Sequence, residues 1–239
     1  MDSRFEVIVG AYLTQNTAWT NVELALANLR AAGSLSLDTI RQIDLQELEQ
    51  LIRPAGFFRQ KAQRLKTFVR YLDKNHAGSL EVMFSRPTVE LRKELLALNG
   101  VGPETADSIL LYAGNHEVFV VDAYTRRILN RHGILPPAAN YEEVRGLFEQ
   151  ALTKDFAADI PTKATGLATD NKPSAAFHLP STMSKENRSV RAQAMNEMHA
   201  LIVVVAKKYC QNRRTLCDEC PLGTFLKAPI RLDPIRGKR

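Results

Sequence analysis

The sequence lacks the features that mark membrane and secreted proteins. Its longest uninterrupted apolar run, from Ala200 to Ala206, is far too short to cross a bilayer, which takes about 20 residues. The first residues, Met-Asp-Ser-Arg-Phe-Glu, contain no basic stretch followed by a clean apolar segment, so we expect no secretory signal. We therefore expect a cytoplasmic protein without a membrane partner.

Cysteine is also scarce. The 239 residues include 3 cysteines, and all of them fall within one short segment, as Cys210, Cys217 and Cys220. A secreted disulfide framework would use an even number of cysteines spread along the chain. The C-x6-C-x2-C spacing indicates instead a reducing compartment and a metal or cluster site.

Charge of one sign is concentrated at one end of the chain. The formal net charge is +6, and the excess of Lys and Arg over Asp and Glu within residues 207–239 accounts for all of it. A basic segment of this kind is typical of a protein with a polyanionic partner, most simply nucleic acid. A solvated surface tail is the alternative on charge alone.

Strand-like patterns are few. Only residues 5–13 and 118–121 could be read as strands, and two short runs hardly make a sheet. Elsewhere the apolar residues recur at helical spacing, as they do along residues 61–72. The apolar positions of that segment are Ala62, Leu65, Phe68, Val69 and Leu72. The sequence therefore predicts an all-α protein.

Capping residues divide the chain into many short helices. Asp44, Thr88 and Asp122 stand where helix N-caps belong, and Pro103 stands in the first turn of a helix that Gly114 ends. Residues 159–186 mix Pro, Thr, Ser, Lys and Asn without any period, which predicts a flexible insertion. A last long helix is expected over residues 187–209.

The segment Leu98-Asn-Gly-Val-Gly-Pro-Glu-Thr-Ala106 is the most informative motif. Gly100 and Gly102 allow a hairpin too tight for a side chain, so that amides at the start of the next helix can approach a phosphate. Such a turn grips one nucleic-acid strand without reading its sequence. An ordinary glycine-containing corner between helices is the alternative, but Asp122 follows Glu104 by eighteen residues.

With this spacing the chain resembles the endonuclease III superfamily of DNA glycosylases, whose signature is a helix-hairpin-helix followed by a Gly/Pro-rich loop and an aspartate. Residues 13–17, 53–62 and 196–202 carry the same resemblance. It implies two helical lobes, with a DNA-binding cleft between them. The lobes would span residues 5–116, which include the hairpin, and residues 117–239, which include the cysteine loop.

The resemblance implies that Asp122 is the catalytic residue. Breaking an N-glycosidic bond builds positive charge on the sugar, and a nearby carboxylate stabilises that charge and can orient or deprotonate the attacking water. On the aspartate alone, a helix N-cap is the simpler interpretation. The two roles are compatible, because capping would fix the position of the carboxylate.

Glu104 departs from the pattern of those relatives that also cut the DNA backbone. They carry at this position a lysine whose amine attacks the sugar, which a carboxylate cannot do. The resemblance therefore implies a monofunctional glycosylase, and it is nearest to the 3-methyladenine-type alkylpurine branch. The alternatives are a bifunctional oxidised-pyrimidine or mismatch glycosylase with lyase activity, and a non-catalytic helix-hairpin-helix DNA-binding protein.

The same resemblance assigns the remaining site residues. Trp19 would line the pocket for the flipped base, with a core tryptophan as the alternative, and Gln15 would fill the gap left in the duplex. DNA contacts are expected from Gln15, Gly100, Gly102, Thr105, Arg213 and Arg214. The expected partner is double-stranded DNA with a flipped damaged base. We expect the protein to act as a monomer in the cytoplasm, at the nucleoid.

The cysteine loop resembles the iron–sulfur loop of the family, C-x6-C-x2-C-x5-C, which binds one [4Fe–4S] cluster through four thiolates. Cys210, Cys217 and Cys220 match the first three positions, and Leu226 stands at the fourth. Three interpretations stay open. The cysteines bind a cluster with an outside fourth ligand, they bind zinc together with a histidine, or they are a remnant.

Overall fold

A computed structural model of the protein describes residues 3–157 and 188–226, and along residues 154–157 it describes the backbone alone. The predicted insertion at residues 159–186 lies outside the described residues. Within the described part of the chain, all extended regular structure is helical, apart from one isolated β-bridge between Cys210 and Thr215. The all-α fold class is confirmed.

The described residues divide into two compact units. Residues 3–117 and 188–189 form the first unit, and residues 118–157 and 190–226 form the second. The first unit contains helices α1 Arg4–Leu13, α2 Trp19–Ala31, α3 Leu37–Gln42, α4 Leu45–Leu51, α5 Phe58–His76, α6 Leu80–Phe84, α7 Thr88–Leu96 and α8 Pro103–Ser108. The second unit contains α9 Ala123–Arg131, α10 Tyr141–Ala157 and α11 Val190–Lys208. None of the described helices is long and apolar enough to span a membrane.

The first strand candidate, residues 5–13, is helix α1. Ser3 caps this helix by accepting a hydrogen bond from the amide of Glu6. Ile8, Val9 and Leu13 are fully buried, although they do not share one helical face. The run is apolar because neighbouring helices cover α1 on most sides, so it shows no helical period.

The second strand candidate, residues 118–121, is an extended segment without a partner strand. Side chains of α10 satisfy two of its amides: the Phe119 amide donates to Glu149 Oε1 at 3.0 Å, and the Val121 amide donates to the Tyr141 hydroxyl at 3.2 Å. Phe119 and Val121 are buried. The segment leads directly into Asp122 and α9, so it fixes where the aspartate is placed.

The predicted caps are confirmed at three of the four helix starts. Asp44 and Asp122 accept hydrogen bonds from backbone amides at the starts of α4 and α9, and Pro103 is the first residue of α8. The prediction is wrong for Thr88, because Pro87 is the N-cap of α7 and Thr88 is its first residue. The Thr88 hydroxyl instead lies 2.9 Å from the Nδ1 atom of His116.

Candidate active site

The hairpin of the first unit joins α7 to α8. The Val101 amide donates to the Leu98 carbonyl at 3.1 Å, which closes the turn, and Gly102 is the N-cap of α8. Behind the turn, Arg92 of α7 forms two hydrogen bonds, at 2.7 and 3.1 Å, with the fully buried carboxylate of Asp107 in α8. This ion pair fixes the two helices together, and so it fixes the turn between them.

The two glycines of the hairpin differ in how much space surrounds them. Gly100 has φ +78°, and a Cβ atom there would lie 1.9 Å from Nε of Arg64. Gly102 has φ −91°, and no atom lies within 4 Å of the position of its Cβ. The prediction that both glycines are needed for a tight turn is therefore correct for Gly100 and wrong for Gly102, where the protein leaves open space.

Gln15 is fixed against this hairpin. Its Nε2 atom donates to the Gly100 carbonyl and to the Thr105 hydroxyl, each at 2.9 Å, and its Oε1 atom accepts a 2.6 Å hydrogen bond from Arg64. Three of the predicted DNA-binding residues are thus brought together. The gap-filling role of Gln15 stays a prediction, and its side chain amide is already engaged by the protein.

Lys61 is a residue of this region for which the sequence predicted no role. Its side chain is almost fully buried, and Nζ donates at 2.8 Å to the carbonyls of Leu13 and Ala55 and to the hydroxyl of Thr17. The ammonium group therefore links the turn after α1 to the turn before α5. Its signal was visible in the sequence, because position 61 continues the apolar face that includes Leu65.

Burial, and then the positive charge of Arg64, lower the pKa of Lys61 to about 8. Three oxygen acceptors surround the nitrogen, one for each N–H donor of the charged ammonium group.

Two aromatic side chains of the first unit face solvent. Trp19 is the first residue of α2, is 36% exposed, and donates from Nε1 to Glu23 at 2.9 Å, so it is not a core tryptophan. Phe57 precedes α5, is 65% exposed and has φ 45°, a left-handed conformation that is rare for an aromatic residue. Phe57 was not predicted as a site residue, and its signal in the sequence was the glycine before it.

In the second unit, Asp122 is the N-cap of α9. Its Oδ1 atom accepts hydrogen bonds from the amide of Thr125 at 2.7 Å and from the Thr125 hydroxyl at 2.9 Å. Its Oδ2 atom lies 3.4 Å from Nε2 of His199 in α11. The side chain of Asp122 is 13% exposed, so the carboxylate is recessed but reachable.

The pKa of Asp122 is lower than usual for an aspartate. Burial alone raises the pKa, but the neighbouring imidazole of His199 and the two hydrogen bonds from Thr125 lower it by more. Asp122 is therefore a carboxylate at neutral pH. Both functions expected of it are compatible in this geometry, because the cap uses one oxygen and leaves the other available.

The cysteine loop is held by two arginines of α9. Arg127 donates to the carbonyl of Cys210 at 2.7 Å, and Arg131 donates to the carbonyls of Gln211 and Asn212 at 2.7 and 3.0 Å. These contacts satisfy carbonyls that follow the end of α11. The predicted phosphate contacts Arg213 and Arg214 come next in the loop and are exposed.

The three cysteines carry free thiols. Among the residues that the structure describes, no three His, Cys, Asp or Glu side chains are arranged to hold a metal ion. Cys210 is buried, its sulfur accepts a 3.2 Å hydrogen bond from Arg131, and Leu226 offers no lone pair at the fourth position. As arranged, Cys210, Cys217 and Cys220 do not fit the predicted [4Fe–4S] cluster, which requires four convergent ligands.

The protein has the features of a class of DNA-repair proteins: an all-α fold, a helix-hairpin-helix whose helices are joined by an ion pair, and a later aspartate that caps a helix. Residues 9–154 match the HhH-GPD superfamily of base excision DNA repair proteins, and the chain belongs to that superfamily. The protein is thus a DNA glycosylase of the endonuclease III-like group, and the predicted resemblance is confirmed.

Individual relatives agree with this assignment. MJ1434 of Methanocaldococcus jannaschii, a protein named by inference as a DNA repair glycosylase, is 40% identical over 94% of this chain and 86% of its own length. The structure of H. pylori 3-methyladenine DNA glycosylase bound to 1,N6-ethenoadenine is 30% identical, with a TM-score of 0.67 and 85% of each chain covered. Endonuclease III of Sulfolobus acidocaldarius is 21% identical over 93% of this chain and 81% of its own.

Proposed function

We propose that the protein is a monofunctional glycosylase that hydrolyses the N-glycosidic bond of an alkylated purine in double-stranded DNA. The observation that carries the proposal is Asp122, a recessed carboxylate that Thr125 and His199 keep ionised. The 30% identity to a 3-methyladenine glycosylase supports the alkylpurine substrate class.

Asp122 would act on the sugar rather than on the base. As the bond between base and sugar lengthens, positive charge develops on the sugar, and a carboxylate beside it stabilises that charge. The Oδ2 atom would also orient water or accept its proton, because Oδ1 is occupied by the two hydrogen bonds from Thr125. The product is an abasic site in an intact strand.

The absence of lyase chemistry is inferred from Glu104. This residue is exposed in the first turn of α8, where the resemblance places the lysine of bifunctional relatives, and a carboxylate cannot form a Schiff base. Lys61 is a poor substitute, because its nitrogen is buried and donates to three oxygen acceptors.

Binding of DNA would use two kinds of contact in the first unit. The backbone at Gly102 is open, which suits the close approach of a phosphate to the amides that begin α8. Phe57 is exposed at the start of α5, which suits an apolar wedge that enters the base stack when a base is flipped out. Trp19 offers a partly exposed ring for stacking on the flipped base.

The test is to incubate the protein with duplexes that each carry one defined lesion, with and without later alkali. We expect release of an alkylated purine and strand breaks after alkali only. Strand breaks before alkali, or a covalent complex trapped by borohydride, would favour the bifunctional alternative. Binding without release from any lesion, alkylpurines included, would favour the non-catalytic alternative.

A further inference from the structure

The carboxylate of Asp122 has two differently held oxygens. Both hydrogen bonds from Thr125 go to Oδ1, whereas Oδ2 lies 3.4 Å from Nε2 of His199. The helix cap accounts for the first oxygen, and capping requires nothing at the second. His199 is 14% exposed, so its ring lies with Asp122 in a region where charges are weakly screened.

We propose that His199 is a positioning residue that keeps Asp122 ionised and its Oδ2 atom correctly oriented, so that the enzyme retains base-release activity in mildly acidic solution. The proposal rests on the proposed catalytic role of Asp122. It assigns to α11 a part in the reaction that is additional to the hairpin and the aspartate.

Aromatic packing holds the imidazole in place. The His199 ring meets the ring of Phe119 edge to face, with centroids 6.3 Å apart and an angle of 72° between the planes. Phe119 is itself stacked on Phe148 of α10 at 4.0 Å. A histidine that merely filled space would not need its Nε2 atom at ion-pair distance from a carboxylate.

Several other ionisable groups on the described parts of the elements packed around α11 have partners other than Asp122. From α10, Glu149 accepts from the Phe119 amide and pairs with Arg145, and the Tyr141 hydroxyl accepts from the Val121 amide. From α9, Arg126 and Arg127 donate to the carbonyls of Ala139 and Cys210. On α11, Arg191 donates to the Thr153 hydroxyl, Gln193 donates to Glu197, and Lys207 lies over the ring of Tyr124.

Among the described residues, His199 is therefore the one basic side chain paired with Asp122. The consequence for pH has a definite sign. The imidazole of His199 beside Oδ2 lowers the pKa of the Asp122 carboxyl, so removing His199 raises that pKa. Asp122 would then become protonated, and inactive, at a higher pH than in the wild type.

The test is the pH dependence of single-turnover base release, from pH 5 to 9, on a duplex with one alkylated purine. For His199→Gln we expect the acidic limb to move to higher pH, so that the fold loss in rate is greater at pH 5.5 than at pH 8. His199→Lys places a cation at this position and should keep an acidic limb close to that of the wild type. His132→Gln, a histidine at the end of α9, is the matched control and should leave the profile unchanged.

Uniform loss at all pH values in both His199 variants would mean that the histidine is only structural, and would overturn the proposal. An unshifted limb in His199→Gln, or equal limbs in the Gln and Lys variants, would overturn it as well. Asp122→Asn, assayed beside them, distinguishes a failure of the proposed function from a failure of the role of His199. If Asp122→Asn stays active, the proposed function fails, and if it is inactive while His199→Gln behaves like the wild type, only the role of His199 fails.

Discussion

Replacing Gly100 by alanine tests the geometry of the hairpin. The left-handed φ of +78° costs a residue with a Cβ atom about 1–2 kcal/mol. The new Cβ would lie 1.9 Å from Nε of Arg64, so this flexible side chain must move and give up its 2.6 Å hydrogen bond to Gln15. Loss of that hydrogen bond adds about 1 kcal/mol.

Gly100→Ala should therefore lower the free energy of unfolding by about 2–3 kcal/mol, which is about 4 to 12 °C in Tm for a chain of this size. Gly102→Ala is the matched control. Its backbone is extended, no atom lies within 4 Å of the added Cβ, and its stability should change by no more than about 1 kcal/mol.

Gly102→Ala, the variant with little effect on stability, should weaken DNA binding. A methyl group at Gly102 projects into the open space where a phosphate would approach, so Gly102→Ala should bind damaged and undamaged duplexes more weakly by similar factors. Thermal unfolding and salt titrations of duplex binding measure the two effects. Equal destabilisation of both variants would refute the steric reasoning, and an affinity loss confined to damaged DNA would refute the phosphate contact.

Three further predictions concern residues whose surroundings the structure defines. Lys61→Met removes three buried hydrogen bonds, although the Ala55 carbonyl still accepts from the Thr17 hydroxyl, and it should cost about 2–5 kcal/mol, with exposed Lys74→Met as the control. Because folding lowers the pKa of Lys61 from 10.5 to about 8, the wild type should gain stability relative to Lys61→Met in urea titrations as the pH rises from 8 to 10. Phe57→Ala should change the free energy of unfolding by no more than about 1 kcal/mol but slow base release from duplex DNA. An unchanged rate of release would exclude the wedge. Leu226→Cys adds the fourth thiolate, so its iron content after anaerobic reconstitution should exceed that of the wild type, and the absence of iron from both proteins would reject the family-type cluster.

Much of the fold follows from local signals in the sequence. Asp44, Pro103 and Asp122 predict the starts of their helices because capping depends on a few neighbouring residues. Residues 5–13 and 118–121 are harder to interpret, because burial on most sides removes the period that distinguishes helix from strand. Their conformations depend on distant partners, such as Glu149 for the Phe119 amide.

The candidate site was predictable only where a motif contains it. Gly100 and Asp122 lie within the recognised signature. Lys61, Phe57 and His199 lie in segments that carry the family resemblance, but the roles of Lys61 and His199 depend on contacts with residues far away in the sequence, and that of Phe57 depends on its exposure. A lysine on an apolar helix face was the one visible sign of Lys61. Residues 196–202 carry the family resemblance, but they do not reveal the contact that His199 makes, because its partner Asp122 is 77 residues away.

Asp122→Asn tests whether the carboxylate of Asp122 carries out hydrolysis of the N-glycosidic bond. Asparagine still caps α9 by accepting from the Thr125 amide, but it lacks the charge that stabilises the developing cation. Single-turnover release of an alkylated purine and binding to an abasic-site analogue should be measured on the same preparation. We expect Asp122→Asn to slow base release by at least about a hundredfold and to bind DNA with an affinity equal to or higher than that of the wild type. Release near the wild-type rate by a folded Asp122→Asn protein would contradict it.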